Sequence, residues 1–234
     1  MIVVGKISIK AILENKKRDI DTVYILDSKK DKETRYILSQ CKGQNVKRVS
    51  RDYLDKLTGV TSHGGFAIDT SARKSDTMES LMKDSKSILC VEGLTDPFNM
   101  GEILRTITVL GFDGFITPKY EFFEHEAKLI RASAGASEKI TWVMSDDLGS
   151  DLKKLKAQGT TIISAHRQEE SISLVDYKFD KKVCVCLGGA LRGLSKDVLD
   201  QSDQFVRLDT PERIALSTQG AASVFAYARL TQSK

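Results

Sequence analysis

Three stretches of this 234-residue sequence combine polar side chains with glycine in the manner of a ligand site. The first runs Leu89-Cys90-Val91-Glu92-Gly93-Leu94-Thr95-Asp96-Pro97-Phe98-Asn99-Met100-Gly101-Glu102-Ile103-Leu104-Arg105-Thr106. It reads as a buried strand ending at Glu92, a turn, and a helix beginning near Asn99 with Arg105 inside it. That unit sets Asn99 and Arg105 beyond the carboxyl end of a strand, where open α/β sheets bind ligands. An ordinary strand-turn-helix with a capping Asn and a solvated Arg reads the same way. The second, Leu187 to Ser195, is a strand that enters a bend carrying Gly188, Gly189 and Gly193 before another helix. These glycines permit positive φ and the close main-chain approach that a flat adenine or a ribose against backbone atoms requires. Their Gly-x-x-x-x-Gly spacing also resembles part of a dinucleotide loop. However, G-x-G-x-x-G is incomplete, and no acidic residue ends a following strand about 20 residues on. The third, Val206 to Ala228, reads as a strand, a loop and a helix rich in small residues, suited to a close ligand, to tight helix packing or to an oligomer interface.

The elements that must position these residues follow from periodicity. Apolar runs at 88–91, 114–117, 140–143, 161–164 and 183–187 are continuous rather than alternating, as in strands covered on both faces of a mostly parallel sheet. Helical spacing separates them around Ile103 to Leu110, Ala127 to Ile130, Leu148 to Leu155 and Ala221 to Leu230. Ahead of them lies a smaller alternation: helix 7–13, strand 22–26, helix 33–40, strand 46–49 and helix 51–57. The polar, aperiodic stretch Ser71 to Thr77 divides the two, giving a small domain over 1–72, a linker over 73–85 and a larger α/β domain over 86–234.

Charge differs across that boundary. Residues 1–75 hold 16 Lys and Arg against 9 Asp and Glu, whereas the remainder hold 20 against 23. A basic first module suits a polyanion, since Lys and Arg gain from phosphate contact and counterion release, or it is a solvated Lys-rich surface. Lys16, Lys17, Arg18, Lys47 and Arg48 are its candidate phosphate-contacting residues, which become RNA-contacting residues under the resemblance given below. No metal site is expected, because Cys184-x-Cys186 lacks zinc-knuckle spacing and His63, His125 and His166 are far apart. No stretch approaches the roughly 18 apolar residues of a membrane span. The opening Met1 to Val4 is cut short by Gly5-Lys6, so a cytoplasmic protein is expected.

In their order and separation, the three stretches resemble the SpoU/TrmH family of RNA ribose 2′-O-methyltransferases, within the SPOUT superfamily. Asp96-Pro97-x-Asn99-x-Gly101 with Arg105 matches the family's first motif. Arg131-Ala132-Ser133-Ala134-Gly135-Ala136 looks like its Ser-Ala-Gly-Ala stretch, and Gly188 to Ser195 is similar to its second motif. Gly5 to Asn15 and Ser62 to Ala67 more loosely resemble the ends of the family's small α/β substrate-binding domain, which is related to kink-turn-binding ribosomal proteins. The resemblance implies a trefoil-knotted C-terminal domain, a homodimer with a shared active site, and S-adenosylmethionine as cofactor. It also implies methyl transfer to a ribose 2′-hydroxyl of rRNA or tRNA, with Arg105 and Asn99 as catalytic residues. Gly188, Gly189, Gly193, Leu208 and either Ser217 or Thr218 then correspond to cofactor contacts.

Three positions depart from the family's pattern. Ala190 replaces its usual Glu, Leu208-Asp209-Thr210 its Ile-Pro-Met, and Leu216-Ser217-Thr218 its Ser-Leu-Asn. Losing a carboxylate and a carboxamide removes positioning worth about 1–3 kcal/mol per hydrogen bond without disturbing a fold. The alternative reading is therefore a knotted RNA-binding or assembly protein impaired in catalysis.

Overall fold

The computed structural model describes residues 1–120, 125–212 and 214–232, which divide into two compact units. One comprises Met1–Lys74 with Glu121–Lys139, and the other Ser75–Tyr120 with Ile140–Lys234.

The first unit begins β1 (Ile2–Val4), α1 (Lys6–Asn15), β2 (Ile20–Leu26), α2 (Lys32–Gln40), β3 (Asn45–Val49), α3 (Arg51–Thr58) and β4 (Phe66–Thr70). Its sheet has the order β1-β4-β2-β3, antiparallel except for the β2–β3 pair. The helices start where capping chemistry allows. The Asp31 carboxylate accepts from Thr34 N at 2.8 Å ahead of α2, and Ser50 Oγ from Tyr53 N at 3.2 Å ahead of α3. Val3, Ile9, Ile12, Val23, Ile25, Phe66 and Ile68 form its core.

In the second unit come α4 (Met78–Asp84), β5 (Ser87–Glu92), α5 (Pro97–Val109) and β6 (Gly114–Pro118). The chain then supplies α6 (Glu126–Ala132) and α7 (Ala136–Lys139) to the first unit. It returns to the second as β7 (Thr141–Ser145), α8 (Leu148–Ala157), β8 (Thr161–Ala165), β9 (Ile172–Ser173), β10 (Val183–Gly188), α9 (Lys196–Leu199), β11 (Gln204–Arg207) and α10 (Thr218–Gln232). These seven strands form an all-parallel sheet in the order β7-β6-β5-β10-β8-β11-β9. Val183 to Leu187 of central β10 are all buried, as the continuous apolar run requires of a strand covered on both faces. The stretch expected as a linker contains α4, capped by Thr77 and seating Leu81 in the core beside Ile88 and Leu152.

One expected residue needs correction. Arg18, assigned above to an RNA-contacting surface, has a side chain only 1% exposed. Its Nη1 donates to Glu126 Oε2 at 2.6 Å, and its Nε and Nη2 each donate to Glu138 at 3.0 Å. Burial lowers the guanidinium pKa, but bonds and charges from Glu138 and Glu126 outweigh it and leave the pKa above its ordinary value. Arg18 thus ties α6 and α7 into the first unit and is not accessible to phosphate. Arg18→Ala would leave Glu126 and Glu138 buried without this partner, so it should destabilise the protein by about 3–5 kcal/mol. A urea titration with an unchanged midpoint would contradict that role.

Candidate functional site

The site is assembled where β5 and β10 end side by side. Their parallel register sets Gly188 opposite Glu92, so the loops that follow emerge together at the carboxyl edge of the sheet. Asp96 begins α5: its Oδ1 accepts from Asn99 N at 2.8 Å, with Pro97 in the first turn. The cap is therefore Asp96, and Asn99 lies within the helix. On the other loop, Ser195 N donates to Glu92 Oε2 at 2.7 Å, which ties the two loops together.

The glycine bend is built by close backbone approach. A Cβ on Gly188 would lie 2.2 Å from the carbonyl carbon of Gly193, and one on Gly189 would lie 2.4 Å from the Gly93 oxygen. Gly193 N closes the bend on Gly189 O at 2.9 Å, and Gly193 itself takes φ +65°. These contacts leave a cavity of about 350 Å³ between the bend, the segment after β11 and the head of α10. Gly188, Gly189, Gly193, Leu208 and Thr218 line it, as do Leu187 and Leu216. The chemistry of such a wall is main-chain hydrogen bonding beside apolar surface, suited to a flat heterocycle carrying a few polar atoms.

Of the alternatives Ser217 and Thr218, the structure places Thr218 at the cavity. Its Oγ1 donates to Gly188 O at 3.1 Å, and the residue is buried. Ser217 is exposed, lies outside the lining, and caps α10 by accepting from Gly220 N at 3.1 Å. Ala190 lines the wall as an exposed methyl group.

Asn99 and Arg105 are both exposed on α5 and do not line this cavity. Helix α5 packs along α10, where Gln219 Nε2 donates to Glu102 Oε2. Among the other expected residues, Lys16 is exposed at the left-handed end of α1, and Lys17 is half-buried. Lys47 and Arg48 are exposed on edge strand β3, with Arg48 Nη1 donating to Lys29 O at 2.6 Å. The structure therefore does not gather the five basic residues into one patch. Sequence reasoning missed His166 and Arg167, which follow β8 and line the cavity. Their only signal in the sequence was position at the end of the apolar run 161–164; that this strand lies beside β10 is set by the sheet order.

Two family models match the chain. The family model described as the SpoU rRNA Methylase family matches residues 86–227, and that described as RNA 2′-O ribose methyltransferase substrate binding matches residues 2–75. An uncharacterized tRNA/rRNA methyltransferase of Borreliella burgdorferi is 27% identical over 200 residues, covering 80% of this chain and 87% of that protein. The 23S rRNA (guanosine-2′-O-)-methyltransferase RlmB of Acinetobacter baylyi is 25% identical over 210 residues, covering 86% and 85%. The fold is shared with the SpoU methyltransferase AviRb from Streptomyces viridochromogenes, solved in complex with AdoMet. Its TM-score is 0.81 at 17% identity, covering 100% of this chain and 90% of that one.

Proposed function

Because the chain belongs to the SpoU rRNA methylase family, we propose that it transfers the methyl group of S-adenosylmethionine to a ribose 2′-hydroxyl of rRNA or tRNA. The observation that carries this reading is the cavity beyond β10, whose wall includes Gly188 and Gly189, where any Cβ would overlap backbone atoms. It fits the cofactor's adenosine: the glycine bend and Leu208 line the space, with Leu187 and Leu216 as apolar walls. When bound there, the cofactor supplies a sulfonium-activated methyl group.

The chain's own contribution is alignment and charge. Thr218, held on Gly188 O, keeps the head of α10 against the bend. Arg105 is assigned as phosphate anchor and stabiliser of the developing alkoxide rather than as base, with the hydroxyl proton passing to solvent as the oxygen takes the methyl group. Asn99, from the same helix, orients the ribose or Arg105. Exposed apolar side chains on α5 and α10, Phe98, Val224 and Tyr227, support pairing of two copies through these helices. The shared active site that the family resemblance implies would combine Arg105 of one protomer with the cavity of its partner in such a dimer. Threading of the segment after β11 as a trefoil knot belongs to the same proposal, supported by the return of Thr218 to the end of β10. In the first unit Lys16, Lys47 and Arg48 remain as exposed charge for the RNA backbone.

The altered Ala190 and Leu208-Asp209-Thr210 do not by themselves favour the impaired RNA-binding alternative, since Ala190, Leu208 and Thr210 line a cavity of about 350 Å³. Calorimetric titration with S-adenosylmethionine, S-adenosylhomocysteine and NAD tests the reading. The two methionine-derived ligands should bind and NAD should not; NAD binding alone would overturn it.

A further inference from the structure

The wall of the cavity is mostly glycine and apolar, and its ionisable groups carry one sign. Among the described residues lining it, these are His166, Arg167 and Arg207, and none is acidic. Arg207 is already engaged: its Nε donates to Asp209 Oδ1 at 2.9 Å and its Nη1 to the Ser171 carbonyl. His166 is half-buried, with its ring 5.8 Å from that of Phe205.

Arg167 differs from both. It is exposed at the rim, and its Nη2 donates to Leu208 O at 2.8 Å and lies 3.5 Å from Thr210 Oγ1. Asp209, whose field it shares, is held below the usual carboxylate range by a hydrogen bond from Ser173 and by Arg207. Among the described residues, no carboxylate comes within ion-pair distance of Arg167. Both of its contacts use one nitrogen, so Nε and Nη1 keep their donors for an anion at the cavity mouth. The Nε and Nη1 hydrogens point to different sides of the guanidinium, so a carboxylate meets Arg167 through a charge-assisted bond from one of them, paired in parallel only with an Nη2 hydrogen that Leu208 O leaves over.

We propose that Arg167 is the subsite for the α-carboxylate of the cofactor's amino-acid tail, an inference that rests on the S-adenosylmethionine reading above. Adenosine, flat and polar only at its edge, suits the glycine bend. The tail carries the anion, and the rim carries an arginine to receive it. The ammonium and sulfonium groups meet no acid in the described lining, so discrimination falls on the carboxylate.

The test compares three ligands by calorimetry on the full chain: S-adenosylmethionine, S-adenosylhomocysteine, and 5′-methylthioadenosine, which keeps the nucleoside and sulfur but lacks the amino-acid tail. Losing one charge-assisted pair predicts that Arg167→Ala weakens both tailed ligands about tenfold or more, with 5′-methylthioadenosine unchanged within about twofold. Arg167→Lys, which keeps the charge but not the fork, should fall between. Equal weakening of all three would overturn the inference, since Arg167 would then merely hold the Leu208 carbonyl. Unchanged binding of all three would overturn it as well. A wild-type chain that bound none of them would refute the cofactor reading itself, and this inference with it.

Discussion

Gly188→Ala should abolish measurable binding of S-adenosylmethionine while leaving a folded protein. The new Cβ would stand 2.2 Å from the Gly193 carbonyl carbon and 2.6 Å from Leu194 N. Both are backbone atoms, so no side-chain rotation relieves the overlap, and the bend must open. Overpacking of this kind costs about 1–3 kcal/mol in a packed interior, which the protein as a whole can absorb. The cavity cannot absorb it, because the displaced loop is its wall. Gly189→Ala should behave alike, with its Cβ 2.4 Å from Gly93 O. Gly193→Ala provides the contrast. Nothing lies within 4 Å of a Cβ there, and only the strain of φ +65° remains, about 1–2 kcal/mol. Circular dichroism with calorimetry checks the series. Wild-type affinity in Gly188→Ala would show that the bend does not shape the site.

Arg105→Ala should lower the rate of methyl transfer by about 10²–10³-fold at saturating cofactor, the usual cost of removing one preorganised group that stabilises developing charge. Cofactor affinity should not change, because Arg105 lies outside the cavity. Stability should also hold, since Arg105 is exposed on α5 and surface substitutions usually stay within about 0.5 kcal/mol. That split between rate and binding separates a group acting on the reacting RNA from one that shapes the pocket. Arg105→Lys should recover part of the rate if charge dominates and little if the planar fork is needed. Loss of cofactor binding in Arg105→Ala would contradict the assignment.

Much of the architecture was legible before the structure because the physical signals are strong. A run such as Val183 to Leu187 has few uses other than a strand buried on both faces, and the bend at Gly188, Gly189 and Gly193 marks backbone crowding that the structure shows directly. Short elements carried less signal. β1 is only three residues long, too few for periodicity, and α4 is a seven-residue helix set in polar sequence that reads as linker.

The misassignment of Arg18 has a specific cause. Within Lys16-Lys17-Arg18 nothing local distinguishes a solvated cation from a buried one, because its partners Glu126 and Glu138 lie over a hundred residues away. For the same reason, composition could not reveal that α6 and α7 fold with the first unit. Arg167 escaped notice because a polar stretch after a strand has the composition of any surface loop. Its place at the cavity depends on β8 lying beside β10, a neighbourhood set by sheet order rather than by sequence proximity.

The central claim is methyl transfer to ribose, and its product has a chemical signature. Unmodified rRNA and tRNA transcripts would be incubated with the protein and S-adenosylmethionine labelled in its methyl group, then hydrolysed in alkali. A 2′-O-methyl group removes the hydroxyl that attacks the adjacent phosphodiester, so the label should be recovered in alkali-resistant dinucleotides from one of the two RNAs. Label released in mononucleotides would place the methyl on a base, and absence of label from both RNAs, with a protein that binds the cofactor, would equally contradict the account.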